Sequence, residues 1–536
     1  MFFADTWRIT PRLTLTPGLR WEYLGVLHSP GADHKLDSNF YFGSGGNYLE
    51  RIANGRILRT VDAPGDLRGR FYFPDYKSFA PRLGIAYDLF GNGKTVIRAG
   101  AGMFYDRHVG WELFRAFLNP PSYSLTQLTD VSVTPQLIVN QYAAFPSASI
   151  QMSQSDSTAI DPNMRTAYTL SWNATIEREL RGRFVIGASY LGSSGSRLYS
   201  VYRVNRLGSG GLLDPTCIST RFAADGTTPV GPDYTNCPGL NKEVSDVRVR
   251  TNGGHSSFEA LQLRLDSRRL QRWGAEFGVN YSWSHSIDNR SSSASDSVAD
   301  VGGSFFDAFH PDLDRGSSDF DVRHRIAAHW IWEIPMGRKS QAWKRRYLLG
   351  GWEISGLLSY QTGQPFTIAD TGVPDFRGER TRPRVTGLLP HAGSLVPDAV
   401  SPNSFLYLPL NQVYDPVSGK CLANTAPFAY EISVNGPFDG ILPRNTFRQP
   451  GTYHQDTTLL KNIPLPKEGM KLQFRAEFYN LFNHPRSPDP LTTRERQARP
   501  CGVAERFVVL MKPGNSGGGK GPQLKTDARS NAGHGD

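Results

Sequence analysis

No stretch of the 536-residue chain approaches the ~18 consecutive apolar residues of a membrane-spanning helix, which excludes a helical membrane protein. Cysteine is scarce: four residues exclude a disulfide framework, and no CxxC or Cys/His spacing suits a structural zinc site. Lysine is scarce beside arginine, 13 against 46, and no basic block is interleaved with a nucleic-acid-binding pattern. The formal charge of +10 therefore predicts no nucleic-acid partner. The opening MFFADTWRIT has no basic n-region, long apolar segment or cleavage site, so it is not a secretory leader. It reads as a strand already in progress, and the expectation is that either the chain is cytosolic or its beginning is missing. Paired catalytic carboxylates, an HExxH motif and a Cys/His dyad in a recognisable context are all missing. The chain is expected not to be an enzyme and to carry no cofactor.

What remains is rich in turn formers and aromatics, with Gly 54, Pro 37 and 12% Phe, Trp and Tyr, too aromatic for a disordered chain. Alternation with period two recurs along most of it. Leu13, Leu15, Leu19, Trp21 and Tyr23 share one face, while Thr14, Thr16, Arg20 and Glu22 share the other. Trp273, Ala275, Phe277, Val279, Tyr281 and Trp283 oppose Glu276, Asn280, Ser282 and Ser284. Val322, Ile326, Ala328, Trp330, Trp332 and Ile334 oppose Arg323, Arg325, His329 and Glu333. Met470, Leu472, Phe474, Ala476 and Phe478 oppose Lys471, Gln473, Arg475 and Glu477. Such runs exceed the five or six residues usual in soluble sheets and suit tilted membrane strands. A mean hydropathy of −0.41 is then an average over apolar-out strands, polar lumen positions and wet loops.

Connections alternate short and long. Short turns are expected near residues 10–12, 91–93, 181–183 and 267–272, with compact links over 335–350 and 464–469. Long polar segments without structure are expected near 25–79, 107–165, 193–256, 285–321 and 362–452. Six hairpins give twelve strands of an all-β, antiparallel transmembrane barrel, partial, with its long loops outside the cell. Trp7, Trp21, Tyr23, Phe104, Tyr105, Trp283, Trp330, Trp332 and Trp352 are expected to form interfacial girdles.

Several phrases together resemble one family. They are ADTWRITPRLTLTPGLRWEY (4–23), FAPRLGIAYDLFGNGKTVIRAGAGMFYDR (79–107), SWNATIEREL (171–180), DRGSSDFDVRHRIAAHWIWEIPMG (314–337), GWEISGLLSYQTGQPFTI (351–368) and LQFRAEFYNLFNHP (472–485). In this order they resemble TonB-dependent outer-membrane receptors, specifically the Oar-like β-barrel type common in Acidobacteria. The resemblance implies outer-membrane location, a lipid surround, an unidentified extracellular ligand, and contact with the TonB complex through an N-terminal plug that has no counterpart here. It makes residues 1–485 a partial barrel domain, incompetent for energised uptake alone. The alternative is a surface-adhesion or protein-export platform without small-molecule transport.

Residues 486–536 depart from that pattern, carry a net charge of +4, and are expected to be a disordered tail. KPGNSGGGKGPQLKTDARSNAGHGD resembles the opening of group II intron-encoded reverse transcriptases. Within it GNSGGGK nearly spells a phosphate-binding loop, but Gly521 stands where a magnesium-liganding Ser or Thr belongs.

Two groups of residues remain. Cys217 and Cys237 share a polar Gly/Pro-rich segment; in an oxidising compartment they can form a local disulfide worth about 3 kcal/mol, the alternative being two free thiols. In HPDLDRGSSDFDVRHR (310–325), a calcium site built from Asp312, Asp314, Asp319, Asp321 and His324 fails the EF-hand spacing. The preferred reading is a structural charge ladder of Asp319, Asp321, Arg323 and Arg325, where a loop becomes a strand.

Overall fold

The computed structural model describes residues 1–29, 36–107, 115–120, 157–180, 183–205, 239–244, 247–270, 273–291, 311–336, 342, 344–367, 443–465 and 470–482, plus short strands between 219 and 233, between 370 and 431, and at 491–493 and 508–510. Its centre is one sheet whose path has twelve strands in chain order. β1 (Phe2–Ala4, resuming as Trp7–Thr10) pairs with β2 (Leu13–Glu22). β3 (Ser78–Asp88), β4 (Thr95–Asp106), β5 (Ala167–Leu180) and β6 (Phe184–Arg203) follow. Next come β7 (Val247–Leu270), β8 (Ala275–Asp288), β9 (His324–Glu333), β10 (Trp352–Gln361), β11 (Thr452–Pro464) and β12 (Lys471–Phe478). Each pairs antiparallel with the next, and all six expected hairpins are present. Among the described residues no backbone pairing joins β1 to β12, so the sheet has two edges.

The register keeps two faces in phase across the sheet. Gln262, Ser282, Arg325 and Gln361 stand in one row from β7 to β10. Three residues along, Leu265, Val279, Ala328, Leu358 and Gln455 form the row on the opposite face. Leu83, Ile176, Ile186, Leu263, Trp283, Trp332, Phe474 and Phe478 all lie exposed on that second face. Because side chains alternate, a one-residue slip in mid-wall would put charges into the apolar row; the shifts in these pairings lie at strand ends, between Arg8 and Thr10, between Ser267 and Leu270, and beyond Gly195.

Aromatic rings mark both margins of the apolar face. Trp21 lies 6.5 Å from Phe79, Tyr23 stacks on Tyr76 at 4.7 Å, and Tyr105 sits 5.9 Å from Tyr168 near the loop end. Phe184 and Phe277, 6.2 Å apart, lie near the turn end. The indoles of Trp21, Trp332 and Trp352 donate to the carbonyls of Tyr76, Trp273 and Leu348, leaving ring faces outward and the polar edge satisfied. Trp273 to Trp283 is ten residues, about 34 Å of strand; at a tilt of about 40° that spans roughly 26 Å, the height of an outer-membrane apolar band. Phe104 departs from the expected girdle. A Cβ on Gly102 would meet both Phe104 and Arg82, so Phe104 lies on the polar face and its neighbour Tyr105 on the apolar one. Adjacent strand residues cannot share a face.

The short turns are built locally. Asp88 accepts from the amides of Gly91 and Gly93 at 3.0 and 2.8 Å, and both glycines have positive φ (73° and 67°). Asn92-Gly93 is thus the end of a six-residue turn nucleated by Asp88, not a two-residue hairpin.

The long segments are the main departure from expectation, because much of them is folded. β6 and β7 run 20 and 24 residues, well past the ten of β9, and take 193–203 and 247–256 into strand. A bulge between Gly195 and Ser200, with Arg197 at φ 55°, marks where these strands leave the wall. Above it Ser38–Tyr41 and Arg56–Arg59 form a hairpin around a short helix, Tyr48–Ala53, whose Asn47 caps the Glu50 amide at 2.9 Å. Ser157–Ile160 pairs parallel to the extension of β7. Phe40, Ile52, Ala159, Val204, Val244, Val247 and Val249 form one buried cluster, and Phe71, Tyr72, Ala116, Ile160 and Met164 another. These apolar residues are spread without periodicity through polar sequence, so composition alone conceals them. Beyond residue 482, the described residues are two three-residue strands, Leu491–Thr493 and Val508–Leu510, paired with each other and not with the wall.

Candidate functional site

Three features converge on the loop end of the wall: a polar inner face, a folded cap and a buried ionic cluster at the rim. The inner face carries charges in matched pairs, Arg20 with Glu22, Arg98 with Glu177, Arg264 with Asp266 and Arg475 with Glu477. Exposed pairs of this kind contribute about 1 kcal/mol or less each, so their effect is a wet, neutralised wall rather than stability. Between β8 and β11 the wall has a hollow of about 300 Å³, lined by Asn280, His329, Leu357, Ser359, His454 and Asp456 among others. Ala327 leaves its floor open, and His454 Nε2 lies 3.1 Å from the Asp456 carboxylate.

Buried asparagines hold the cap together. Asn39 accepts from the Ile160 amide at 2.7 Å, and Asn119 donates to the carbonyls of Ser38 and Thr158 at 2.9 and 2.8 Å. Asn241 donates to Ile52 and Gly55 at 3.0 and 2.9 Å, while its own amide donates to Asn205 at 2.7 Å. The three segments between β2 and β7 are thereby tied into one body through side chains that supply both donors and acceptors. Asn241→Ala removes the donor shared by the Ile52, Ala53 and Gly55 carbonyls and should loosen the cap by about 1–3 kcal/mol. Limited proteolysis checks this, with cleavage expected first in 43–55 while the wall stays protected.

Burial also sets a pH limit on the cap. The Tyr72 hydroxyl receives the Leu27 amide at 3.2 Å, and burial pushes its titration up to about 12. A phenol held neutral by folding stabilises fully below its ordinary range near ~10 and loses that contribution as pH rises toward the folded value. The cap should therefore melt between about pH 10 and 12, seen as late tyrosinate absorbance coincident with loss of near-ultraviolet dichroism.

The rim cluster joins segments far apart in sequence. Arg444, 8% exposed, donates through Nε to the Asp314 carbonyl at 2.9 Å and through Nη1 to Ser291 Oγ and Asp319 at 3.1 and 3.2 Å. Its Nη2 donates to the Asp288 carbonyl at 3.0 Å and pairs with the buried Asp288 carboxylate. Asn445, at φ 57°, donates to Ser317 and Asp319 at 2.7 and 2.6 Å. Beside it Asp321, 2% exposed, accepts from the Ser286 amide at 2.7 Å, from Arg323 Nε at 2.9 Å and from Arg448. Burial pushes the Asp321 carboxyl up, but the Ser286 amide, Arg448 and Arg323 outweigh it and hold it below the usual carboxylate range.

Of the four residues expected in a ladder, Asp321 thus lies against Arg323, while Asp319 pairs with Arg444. Arg325 points from the polar face, exposed and without an ion pair among the described residues. The five residues weighed for calcium do not converge. His324 Nδ1 lies 2.8 Å from the Tyr281 hydroxyl on the apolar face, and no trio of ligating side chains assembles among the described residues. Cys217, Cys237 and the 514–520 glycine run lie outside the described residues. Sequence reasoning missed Asp288, Arg444, Asn445 and Arg448. The one signal for Arg444, Asn445 and Arg448 is the polar phrase PRNTFRQPG immediately before β11.

A family model described as outer membrane beta barrel domain matches residues 1–505. Among curated proteins none matches the chain. Similar solved structures include the outer membrane transporter YddB from Escherichia coli, at 11% identity and a TM-score of 0.38, covering 91% of this chain and 41% of that one. Another is the ferric enterobactin receptor of Pseudomonas aeruginosa, at 10% identity and a TM-score of 0.37, with 96% and 41% covered. A third is the FrpB iron transporter of Neisseria meningitidis, at 10% identity and a TM-score of 0.36, with 96% and 43% covered. The chain spans about two fifths of the length of these proteins. With an apolar band of membrane height, a polar inner face and a family match over most of its length, the chain belongs to the outer membrane beta barrel domain family and resides in the outer membrane.

Proposed function

We propose that this chain supplies the loop-bearing part of the wall of a TonB-dependent receptor of the Oar-like type, which takes up an extracellular ligand. The observation that carries this reading is the pair of unpaired edges on a membrane-facing sheet. Backbone groups at an open edge cannot remain unsatisfied in hydrocarbon, so further strands must complete the barrel. The family resemblance implies a plug domain, engaged by TonB, within the completed barrel. The folded cap is then the ligand-facing surface and the charge-paired wall a hydrated path. The end of the chain, beyond the family match at residue 505, derives from a mobile element, in line with the resemblance of KPGNSGGGKGPQLKTDARSNAGHGD to the start of an intron-encoded reverse transcriptase.

The test is uptake of labelled ferric siderophore, oligosaccharide and oligopeptide probes by cells carrying the complete receptor, with TonB present and deleted. TonB-dependent accumulation of one probe is expected. Accumulation of none, with TonB-independent adhesion to surfaces, overturns transport in favour of the adhesion or export platform.

A further inference from the structure

We propose that the link between β9 and β10 is a docking surface for anionic phospholipid, seated on the headgroups of the leaflet at the turn end of the wall. Its sequence, PMGRKSQAWKRRYLLGGW (335–352), holds five Arg and Lys residues and no Asp or Glu. Where the inner wall carries charge in matched pairs, this link carries one sign. A basic run in water needs no partner. What distinguishes this one is where the fold holds it.

The link is folded toward lipid rather than over the lumen. Trp352 and Lys461 are direct partners across β10 and β11, in phase with Leu358 and Phe474 on the apolar face. Both reach the end of one helical turn, Arg345–Leu349. The Trp352 indole donates to the Leu348 carbonyl at 2.9 Å, and Lys461 Nζ donates to the Leu348 and Gly350 carbonyls at 3.0 and 2.5 Å. Lys461 also lies over the Trp352 ring, 4.8 Å from its centroid. The turn is thereby pinned to the membrane-facing side, where Leu348 is 65% exposed and Leu349 is exposed beside it. Met336, at the other end of the link, is 60% exposed. Lys344 and Arg345 are exposed too, and Arg345 has no ion pair among the described residues.

The link also stands at the margin of the apolar band. The Ile334 amide donates to the Trp352 carbonyl at 2.9 Å and the Trp332 indole to the Trp273 carbonyl at 3.1 Å, so both ends of the link lie level with Trp273. Exposed apolar side chains at the acyl boundary, next to cations at headgroup depth, are the two halves of an interfacial anchor. A neutral headgroup satisfies only the first half; a lipid of net negative charge satisfies both. The adjoining β7–β8 turn adds Arg268, Arg269 and Arg272, with no carboxylate between residues 267 and 275. Glu333 and Glu353, which flank the link, pair across β9 and β10 in phase with Arg325, on the polar face.

The test places a fluorophore on Ala342→Cys in the full chain, its four natural cysteines replaced by serine, in phosphatidylcholine vesicles. Headgroup-spin-labelled phosphatidylglycerol or phosphatidylcholine is added as quencher at equal mole fraction. Quenching at 342 is expected to show a local excess of phosphatidylglycerol of at least about fivefold, the contribution of one near-surface cation. The same label on Asn92→Cys, in the β3–β4 turn of the same leaflet, should show little excess. Salt at about 0.5 M should remove the excess at 342. Lys344→Gln with Arg345→Gln should lower it while leaving quenching at 92 unchanged. Equal quenching by the two lipids at 342, or the same excess at 92, overturns the proposal and leaves the basic link to an acidic protein partner. Should the glutamine variant misfold, the comparison of 342 with 92 in the chain with its natural charges still decides.

Discussion

Replacing Ala328 by lysine should prevent stable insertion, whereas the same change at Ala327 should pass almost unnoticed. The two residues are neighbours on β9 and similar in size, and they differ only in the face they occupy. Ala328 stands between Val279 and Leu358 in the apolar row, while Ala327 stands between Asn280 and Ser359 on the polar face. A lysine facing lipid near the middle of the bilayer costs about 2–4 kcal/mol, whereas one facing the lumen is solvated. Refolding into lipid vesicles against a urea gradient measures the difference. Equal costs would mean that the two faces do not meet different solvents.

The second large effect is expected at Arg444. Truncation to alanine removes the partner of the Asp288 carboxylate, which is 3% exposed, and strands acceptors on Asp314, Ser291 and Asp319. Breaking a buried pair from one side costs about 3–5 kcal/mol because the remaining charge is uncompensated. The loss should fall on the rim, where residues 286–291 and 443–448 become accessible to protease while the wall persists. Arg444→Lys should rescue little, since a single ammonium cannot reproduce three guanidinium nitrogens engaged in five directions. Joint replacement by Arg444→Met and Asp288→Leu should be milder than either single change, which separates the cost of an orphaned charge from the worth of the pair.

The wall was legible because a strand writes its two environments into every second residue. Leu13 to Tyr23 and Met470 to Phe478 declare both their length and their facing, and register follows once one face must stay apolar. Phe104 shows the limit of that signal: an aromatic count near a strand end does not say which of two adjacent rings faces lipid. The cap was not legible. Phe40, Ile52, Ala159, Val204 and Val247 come from three connections and reach one core only through tertiary contact, and no local period announces them. Asn39, Asn119 and Asn241 read as turn residues, yet are buried rivets between segments. The rim cluster was half legible. Asp319, Asp321 and Arg323 stood out as a charged run, but their partners Arg444 and Arg448 lie more than a hundred residues away. Local spacing suggested Arg325 instead, which the strand's alternation turns toward the lumen.

Solvent exposure along a single strand tests the account most directly. Cysteines placed one at a time at positions 326 to 332, in a chain whose Cys217, Cys237, Cys421 and Cys501 are replaced by serine, can be probed in vesicles with a water-soluble maleimide. A barrel wall with this register predicts labelling at 327, 329 and 331 and shielding by lipid at 326, 328, 330 and 332. Labelling without alternation, or in the opposite phase, would contradict it.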